Sequence, residues 1–436
     1  MSPWWSPAFP SLRGPRHRCT SGPPLSTRSL RRVSECAMRI RPILCVLAIT
    51  LVASVGCGSD QGPSSEPKYD VSQLDSGNYP TTPRDPEKAR TDKSGRLLEA
   101  ARIGAVVPLA ADVDGKFAFK TTIYIDRRLT PDFIPRDING ANTPDEFNSM
   151  APGFVAGWYT RGQRRPGIAL GRALDMHTLR FETADQARAA ADRIADRLDA
   201  NAPGDRVAIP GFSSARGKWS LDKRRLEALL VQDALLLMVR VEDPVSEPAD
   251  PAPLSELAQR AFTKMLEGLK NYTPTPLDQL NSLPVDVDGM LRRTLPLEDK
   301  SQFTADTDPS MVLTRQAWLH AAYQPNLVKA AYADAGVDLV GVSGGNLYRT
   351  RDFASSERLV AALNGQDSSK YKAIDSPPNM PGVQCFDRRN PKDSSSRYPP
   401  QCYFAYDRYV AEISGDNPQH VYQRVAAQYK ILASGE

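Results

Sequence analysis

The chain has 436 residues, of which 41% are hydrophobic and 24% are charged. This balance excludes a wholly disordered protein and allows two or three domains of ordinary size. The formal charge of +4 arises in residues 1–56, which hold eight arginines and one acidic residue. The rest of the chain holds 47 basic and 50 acidic residues. This balance excludes the basic surface of a nucleic-acid-binding protein.

Residues 38–56 resemble a bacterial export signal. Two arginines are followed by an uncharged apolar run over residues 43–56, which is signal-peptide length and short of the roughly 20 residues that span a bilayer. Small residues lead to Cys57 and a polar stretch follows it, as in the lipoprotein box, although Ser54 stands where leucine is more usual. The pattern predicts cleavage before Cys57 and lipidation of its thiol. The alternative is an ordinary cleaved signal.

Residues 1–37 do not fit this signal, because a signal peptide normally starts at the N-terminus. The simplest interpretation is that translation starts at Met38 and that 1–37 is a non-native or dispensable leader; a genuine long leader is the alternative. Residues 57–96 are rich in Gly, Ser, Pro and charge, which predicts a disordered tether.

Two domains follow, at 97–270 and 311–436. The first has a predicted strand, helix, break, strands and helix at 179–181, 183–198, 210–211, 218–220 with 228–241, and 255–269. The second has the same order at 346–349, 355–363, 377–378, 383–386 with 402–413, and 417–432. The shared order predicts an α+β fold made by internal duplication, each domain an antiparallel sheet with helices on one face. Residues 271–310 are interpreted as a Pro-rich linker, and 312–335 as helix-like.

Cys385 and Cys402 are the cysteines that remain after Cys57. An even pair in an exported protein favours a structural disulfide. The pair flanks a predicted hairpin, so we expect Cα atoms about 4.4–6.8 Å apart. A reactive thiol or metal pair is the alternative, but no second cysteine pair or histidine cluster supports it.

One catalytic pattern is present, since residues 341–345 fit G-x-S-x-G with Ser343 as nucleophile. A serine hydrolase needs a helix directly after this serine, whereas 346–350 has the pattern of a strand. A hairpin turn that needs positive φ at glycine explains the sequence more simply. The triad order could be completed by Asp387 or Asp407 and then His420. We therefore predict no catalytic residue, and keep a hydrolase using Ser343 as the alternative function.

The sequence gives no metal site and no cofactor. His177, His320 and His420 are far apart and belong to no spaced ligand motif. His320 lies on an amphipathic segment, for which core packing is favoured and a ligand groove is the alternative. The aromatic residues of 403–409 alternate between two faces of a strand, and half of them should lie in the core. The other half could form a partner-binding surface, but packing against neighbouring strands is the favoured interpretation.

Residues 71–84 (VSQLDSGNYPTTPR) resemble the opening signature of an uncharacterised cell-envelope lipoprotein family of mycobacteria, nocardiae and their relatives. The segment 347–352 and the cysteine pair at 385 and 402 are also similar. The resemblance implies a protein anchored to the cell membrane by acyl chains such as palmitate, on the extracytoplasmic side. It supplies no reaction or ligand, so the expected function is a non-catalytic module that binds an envelope protein, lipid or glycan. A looser likeness in layout is to extracellular sensor domains of mycobacterial receptor kinases.

Overall fold

Two sheets organise the chain, as a computed structural model shows for residues 68–120, 127–134, 143–297, 310–364, 369–393 and 398–435. The described residues belong to one contact unit, Gln61–Glu436. The predictions for 1–37, for the signal at 38–56 and for lipidation of Cys57 lie outside the described residues.

The first sheet has seven strands in the order β1-β2-β3-β7-β6-β5-β4, and every neighbouring pair is antiparallel. The central strands are rich in Leu, Val and other residues that favour a buried sheet. The strands are β1 (Arg128–Leu129), β2 (Phe154–Gln163), β3 (Ala173–Phe181), β4 (Asp205–Ile209), β5 (Phe212–Ser220), β6 (Arg225–Gln232) and β7 (Leu235–Glu242).

The second sheet repeats this topology. Its strands are β8 (Met311–Thr314), β9 (Leu339–Val342), β10 (Asn346–Arg349), β11 (Tyr371–Ile374), β12 (Gln384–Arg388), β13 (Gln401–Tyr406) and β14 (Tyr409–Ser414). They are ordered β8-β9-β10-β14-β13-β12-β11, again all antiparallel. Numbered within each domain, both orders are 1-2-3-7-6-5-4, so the predicted α+β fold with an internal duplication is confirmed.

Even the hairpin turns correspond. The stretch 228–241, predicted as one strand, is β6 and β7 joined at Asp233, and 402–413 is β13 and β14 joined at Asp407. Both aspartates have positive φ, 52° and 47°, which Asp tolerates better than most residues. A continuous apolar run hides such a turn, because both arms face a buried environment.

Helices cover both faces of each sheet, so the prediction of helices on one face is wrong. They are α1 (Ser94–Gly104), α2 (Ala110–Val113), α3 (Pro144–Met150), α4 (Ala184–Asn201), α5 (Ala252–Leu269), α6 (Arg315–Leu319), α7 (Pro325–Ala335), α8 (Phe353–Asn364) and α9 (Pro418–Ser434). Successive residues of β7 show the reason: Leu236 packs with α4 residues and Leu237 with α5 residues, because side chains alternate along a strand. In β13, Tyr403 faces α8 and Phe404 faces α9 in the same way.

The prediction of a disordered tether is wrong over residues 68–96, which pack on α9. The Tyr69 backbone N–H donates to the Tyr429 hydroxyl at 2.9 Å, and the two rings lie 5.1 Å apart. Leu74 is buried, and Lys430 Nζ donates to its carbonyl at 2.9 Å. The segment is polar on average, but its few apolar and aromatic side chains find a partner helix 360 residues away. We name residues 68–92 the strap.

The prediction of a Pro-rich linker is wrong over the described residues 271–297. Tyr272 and Thr275 bond to Glu99 of α1 in the first domain, and residues 290–297 pack against the second domain. Leu295 is fully buried, and its N–H donates to Gln428 Oε1 at 2.6 Å. Gln428 Nε2 in turn donates to the Arg293 carbonyl at 2.7 Å. Apolar residues spaced between the prolines are what fold this segment. The helix-like stretch 312–335 is β8, α6 and α7.

Cys385 and Cys402 form a disulfide between β12 and β13, where they face each other directly across the pair. Their Cα atoms lie 4.1 Å apart, just under the expected range. Residues directly opposite in antiparallel strands can approach to about 4.5 Å, and this facing position explains the short separation. Both cysteines are buried.

Candidate functional site

The two domains meet where residues 117–120 run between the edge of β2 and the α6–α7 connection. Phe119 exchanges backbone hydrogen bonds with Gln163 of β2, and the Lys120 N–H donates to the Tyr323 carbonyl at 2.9 Å. The rings of Phe119 and Tyr323 lie 6.3 Å apart. We call this contact the seam. Backbone hydrogen bonds therefore fix residues 119–120 to the first domain on one side and to the second domain on the other.

Lys120 is the most unusual side chain at the seam. It is only 7% exposed, and its Nζ donates to the Ala321 carbonyl at 2.7 Å. Among the described residues, no carboxylate pairs with it. Burial lowers the pKa of Lys120 well below its usual value, and the positive charge of Arg127 lowers it further. Burial therefore disfavours the charged form of this side chain, and an anion placed beside it would favour that form.

His320 lies beside Lys120 at the end of α6 and is buried. Its Nδ1 shares a hydrogen bond of 3.0 Å with Thr160 Oγ1 of β2, and its ring meets Trp158 edge-on at 5.5 Å. Burial, with the charges of Arg127 and Lys120, lowers the pKa of His320 to about 3, against the opposing effect of the Val107 backbone. The histidine is therefore a neutral polar group near neutral pH.

These residues line a small cleft in the seam, which we call the seam pocket. The space between these side chains is about 260 Å³ including the part open to solvent, and its enclosed part has room for about one water molecule. Its walls are mainly apolar, with Lys120, Thr160, Arg161 and His320 as polar groups. The lining residues are Leu109, Ala110, Ala111, Phe117, Phe119, Lys120, Thr160, Arg161, Gly162, Leu319, His320, Ala322 and Pro325.

Arg161 differs from Lys120 because its charge is already neutralised. Its Nη1 pairs with Asp175 at 2.5 Å, and its Nη2 lies 3.6 Å from Glu242. Burial raises the pKa of Asp175, but the charges of Arg161 and Arg240 outweigh this and lower it. Lys120 and Arg161 thus differ, because within the described part of the chain only Arg161 has a carboxylate partner.

The group Tyr159, Asp175 and His177 has residue types that serve as acids and bases, yet it is structural. The Tyr159 hydroxyl donates to Asp175 at 2.8 Å, and its ring stacks on His177 at 4.8 Å. Burial lowers the pKa of His177 to about 3, and burial raises the pKa of Tyr159 far above neutral. None of the three exchanges protons near neutral pH, so acid–base catalysis there has no suitable group.

Ser343 lies in the turn between β9 and β10 and is followed by a strand. Its hydroxyl accepts from the Leu297 N–H at 3.1 Å and shares a hydrogen bond of 2.7 Å with Ser310. No histidine bonds to it among the residues that the structure describes. His420 is engaged by the strap, where it bonds to the Tyr79 hydroxyl. The hydrolase alternative therefore lacks both its elbow helix and its base.

The glycines around Ser343 serve close packing, and not positive φ as the sequence predicted. Neither Gly344 nor Gly345 is among the positive-φ residues. A methyl group on Gly344 would lie 2.8 Å from the Leu295 carbonyl oxygen and closer still to that of Pro296. On Gly345 it would collide with Ile413. The turn is confirmed, but its glycines are required by close contacts, with segment 290–297 at Gly344 and with β14 at Gly345.

The remaining predictions concern the aromatic strand, metal sites and membrane-spanning helices. Tyr403, Phe404 and Tyr406 are all buried, so the prediction of a binding surface on this strand is wrong. No group of histidine, cysteine and acidic residues in the described ranges could hold a metal ion. Within the same ranges, no helix is long and apolar enough to cross a membrane.

The sequence pointed to His320 as a possible groove residue but gave no sign of Lys120. The groove and core interpretations of His320 both hold in part, because it is buried and also lines the pocket. Lys120 was missed because lysine is mostly a surface residue, and nothing local reveals that a second domain covers it. The alternating residues Phe117 and Phe119 before it were the available signal.

Comparison with known protein families gives a match for each of the two domains. Family models for the N-terminal and C-terminal parts of a domain of unknown function, DUF7373, match residues 86–285 and 290–435. Among solved structures, the extracellular domain of PknH from Mycobacterium tuberculosis matches with 14% identity and a TM-score of 0.26, over 38% of this chain and 96% of that one. A comparison with curated proteins finds no match.

Proposed function

The chain belongs to the DUF7373 family of unknown function, and the N-terminal and C-terminal parts of this family match its two sheets. From this premise we propose that the protein is a non-catalytic cell-envelope lipoprotein. We propose further that its seam pocket binds the anionic end of an amphiphile. The anchor is the acylated Cys57 on the extracytoplasmic side of the membrane. The observation that carries the ligand class is the buried Lys120, which pairs with no carboxylate of the residues that the structure describes.

The apolar walls of the pocket support an amphiphilic ligand. Phe117 and Phe119 stand on the first-domain side, and Leu319 and Pro325 on the second. A carboxylate or phosphate at Lys120 would replace the missing counter-charge, and a short alkyl or acyl segment would cover the apolar wall. Because the volume is small, the pocket fits one end of a ligand and leaves the rest outside.

The groups around the pocket support binding without chemistry. His320 is held neutral by burial, and no histidine of the described residues bonds to Ser343. Thr160 is engaged by His320. A charge-assisted hydrogen bond from Lys120 contributes about 1.5–3 kcal/mol, which corresponds to roughly a ten- to hundredfold gain in affinity.

Three probes of equal chain length test this proposal: hexyl phosphate, hexanoate and 1-hexanol, titrated calorimetrically into the processed protein. We expect the two anions to bind at least about tenfold more tightly than the alcohol. Lys120→Met should remove this preference, since it keeps the apolar stem and loses the charge. Lys372→Met, at an exposed lysine of β11, is the matched control and should bind as the wild type does.

Equal affinity for the three probes would contradict the proposal, as would full anion binding by Lys120→Met. Thermal unfolding of each variant shows whether it is folded. Lys120→Met should remain folded, because its apolar side chain needs no counter-charge in the buried site, which offsets the lost hydrogen bond to the Ala321 carbonyl.

A further inference from the structure

Three loops lie side by side at one end of the first sheet. The last cross-strand row there joins Gln163, Ala173, Glu242, Arg225 and Ser220 across β2, β3, β7, β6 and β5. The loops that leave this row are 164–172, 221–224 and 243–247. We call these three loops the rim.

The rim exposes large aliphatic side chains. Ile168 is 56% exposed, Leu170 64%, Leu221 60% and Val245 53%, and these are four of the eight large hydrophobic residues exposed in the part of the chain that the structure describes. Each rim loop contributes at least one of them. Single exposed aliphatics are normal on a surface, but their concentration on adjoining loops marks an interaction site.

Arginines hold the three loops together. Arg172 pairs with Asp243 at 2.6 Å, which ties the first loop to the third. Arg224 pairs with Glu247 and donates to the Ser246 carbonyl at 3.2 Å, which ties the second loop to the third. The exposed aliphatic side chains therefore lie on loops that ion pairs and hydrogen bonds connect to one another.

The charge of the rim favours an anionic surface. The three loops together hold five basic and three acidic residues, and loop 164–172 has three arginines and no acidic residue. Arg164 and Arg172 are neutralised by Asp114 and Asp243, whereas Arg165 is exposed and pairs with no carboxylate of the described residues. An exposed cation beside exposed aliphatic tips is the combination that binds a lipid interface, where apolar groups enter below the headgroups and basic groups meet lipid phosphates.

We propose that the rim rests on an anionic lipid surface, with its aliphatic tips among the headgroups. This inference rests on the proposed acyl anchor at Cys57, which lies eleven residues before the first described residue, Lys68. A chain of that length reaches at most about 40 Å, so the anchor keeps the folded body close to the membrane. The rim then sets which end of the first domain faces the lipid.

The processed lipoprotein in vesicles offers a direct test. The Cys57 thiol is acylated there and Cys385 is bonded to Cys402, so one engineered cysteine carries the fluorophore NBD. Leu170→Cys places it on the rim. Leu327→Cys on α7 is the matched control, because both leucines are 64% exposed.

Vesicles of phosphatidylcholine with phosphatidylglycerol and a doxyl-labelled lipid should quench NBD at position 170 at least about twofold more than at 327. Replacing the phosphatidylglycerol by phosphatidylcholine, or adding Arg165→Gln, should reduce that difference. Equal quenching at the two positions would overturn the proposal. A blue shift at 170 that grows with protein concentration and without quenching would also overturn it, because another copy of the protein would then cover the rim.

Discussion

Opening the Cys385–Cys402 disulfide should lower the free energy of unfolding of the second domain by about 3 kcal/mol. The bond closes a loop with a sequence separation of 17. In the chain-entropy relation, 17 residues correspond to about 10.5 cal/mol/K, or about 3 kcal/mol at 25 °C. The loss comes from the greater freedom of the unfolded chain, so the folded contacts of β12 and β13 should persist.

Urea unfolding of the oxidised and reduced protein measures this difference, and hydrogen exchange locates it. The amides of β12 and β13 should exchange faster after reduction, while those of β3 and β7 stay protected. The double variant Cys385→Ala with Cys402→Ala is the control, since reductant should not change it further. Equal stability before and after reduction would refute the reasoning, as would a loss of protection confined to the first sheet.

Three further predictions concern acid, packing and the serine. Burial holds the pKa of His177 and of His320 near 3, so both histidines take up a proton when the protein unfolds below about pH 6.5. The free energy of unfolding measured in urea should therefore fall by roughly 4 kcal/mol between pH 7 and 5. An unchanged value would contradict this. Gly344→Ala should cost about 1–3 kcal/mol by calorimetry, while Gly115→Ala, which meets nothing within 4 Å, should cost under about 0.5; similar losses would refute the packing argument. Ser343→Ala should lose about 1 kcal/mol by leaving the Leu297 N–H unpaired, and no change in melting would contradict that bond.

The parts of the fold that follow from local chemistry could be predicted from sequence. Helix α4 begins after Thr183, whose hydroxyl accepts from the Gln186 N–H, and α9 begins after Asn417 with proline at its first position. Such caps, with apolar residues at helical spacing, indicate an element directly. The duplication followed because the order of these elements recurs, although several short strands were missed.

The parts that depend on distant contacts could not be predicted. Strand β8 has four residues and continues into helices, so its apolar pattern resembles a longer helix. The strap looks polar, yet the partners of Tyr69 and Leu74 lie on α9, more than 350 residues away in the chain. Lys120 has the same limitation, because its burial depends on residues of the second domain.

A crystal structure of the protein grown with hexyl phosphate tests the central claim most directly. We expect the phosphate in the seam pocket, within about 3 Å of Lys120 Nζ as a charged hydrogen bond requires, and the alkyl chain against Phe117 and Phe119. An empty pocket at a saturating concentration, with Lys120 bonded only to the Ala321 carbonyl, would contradict the account.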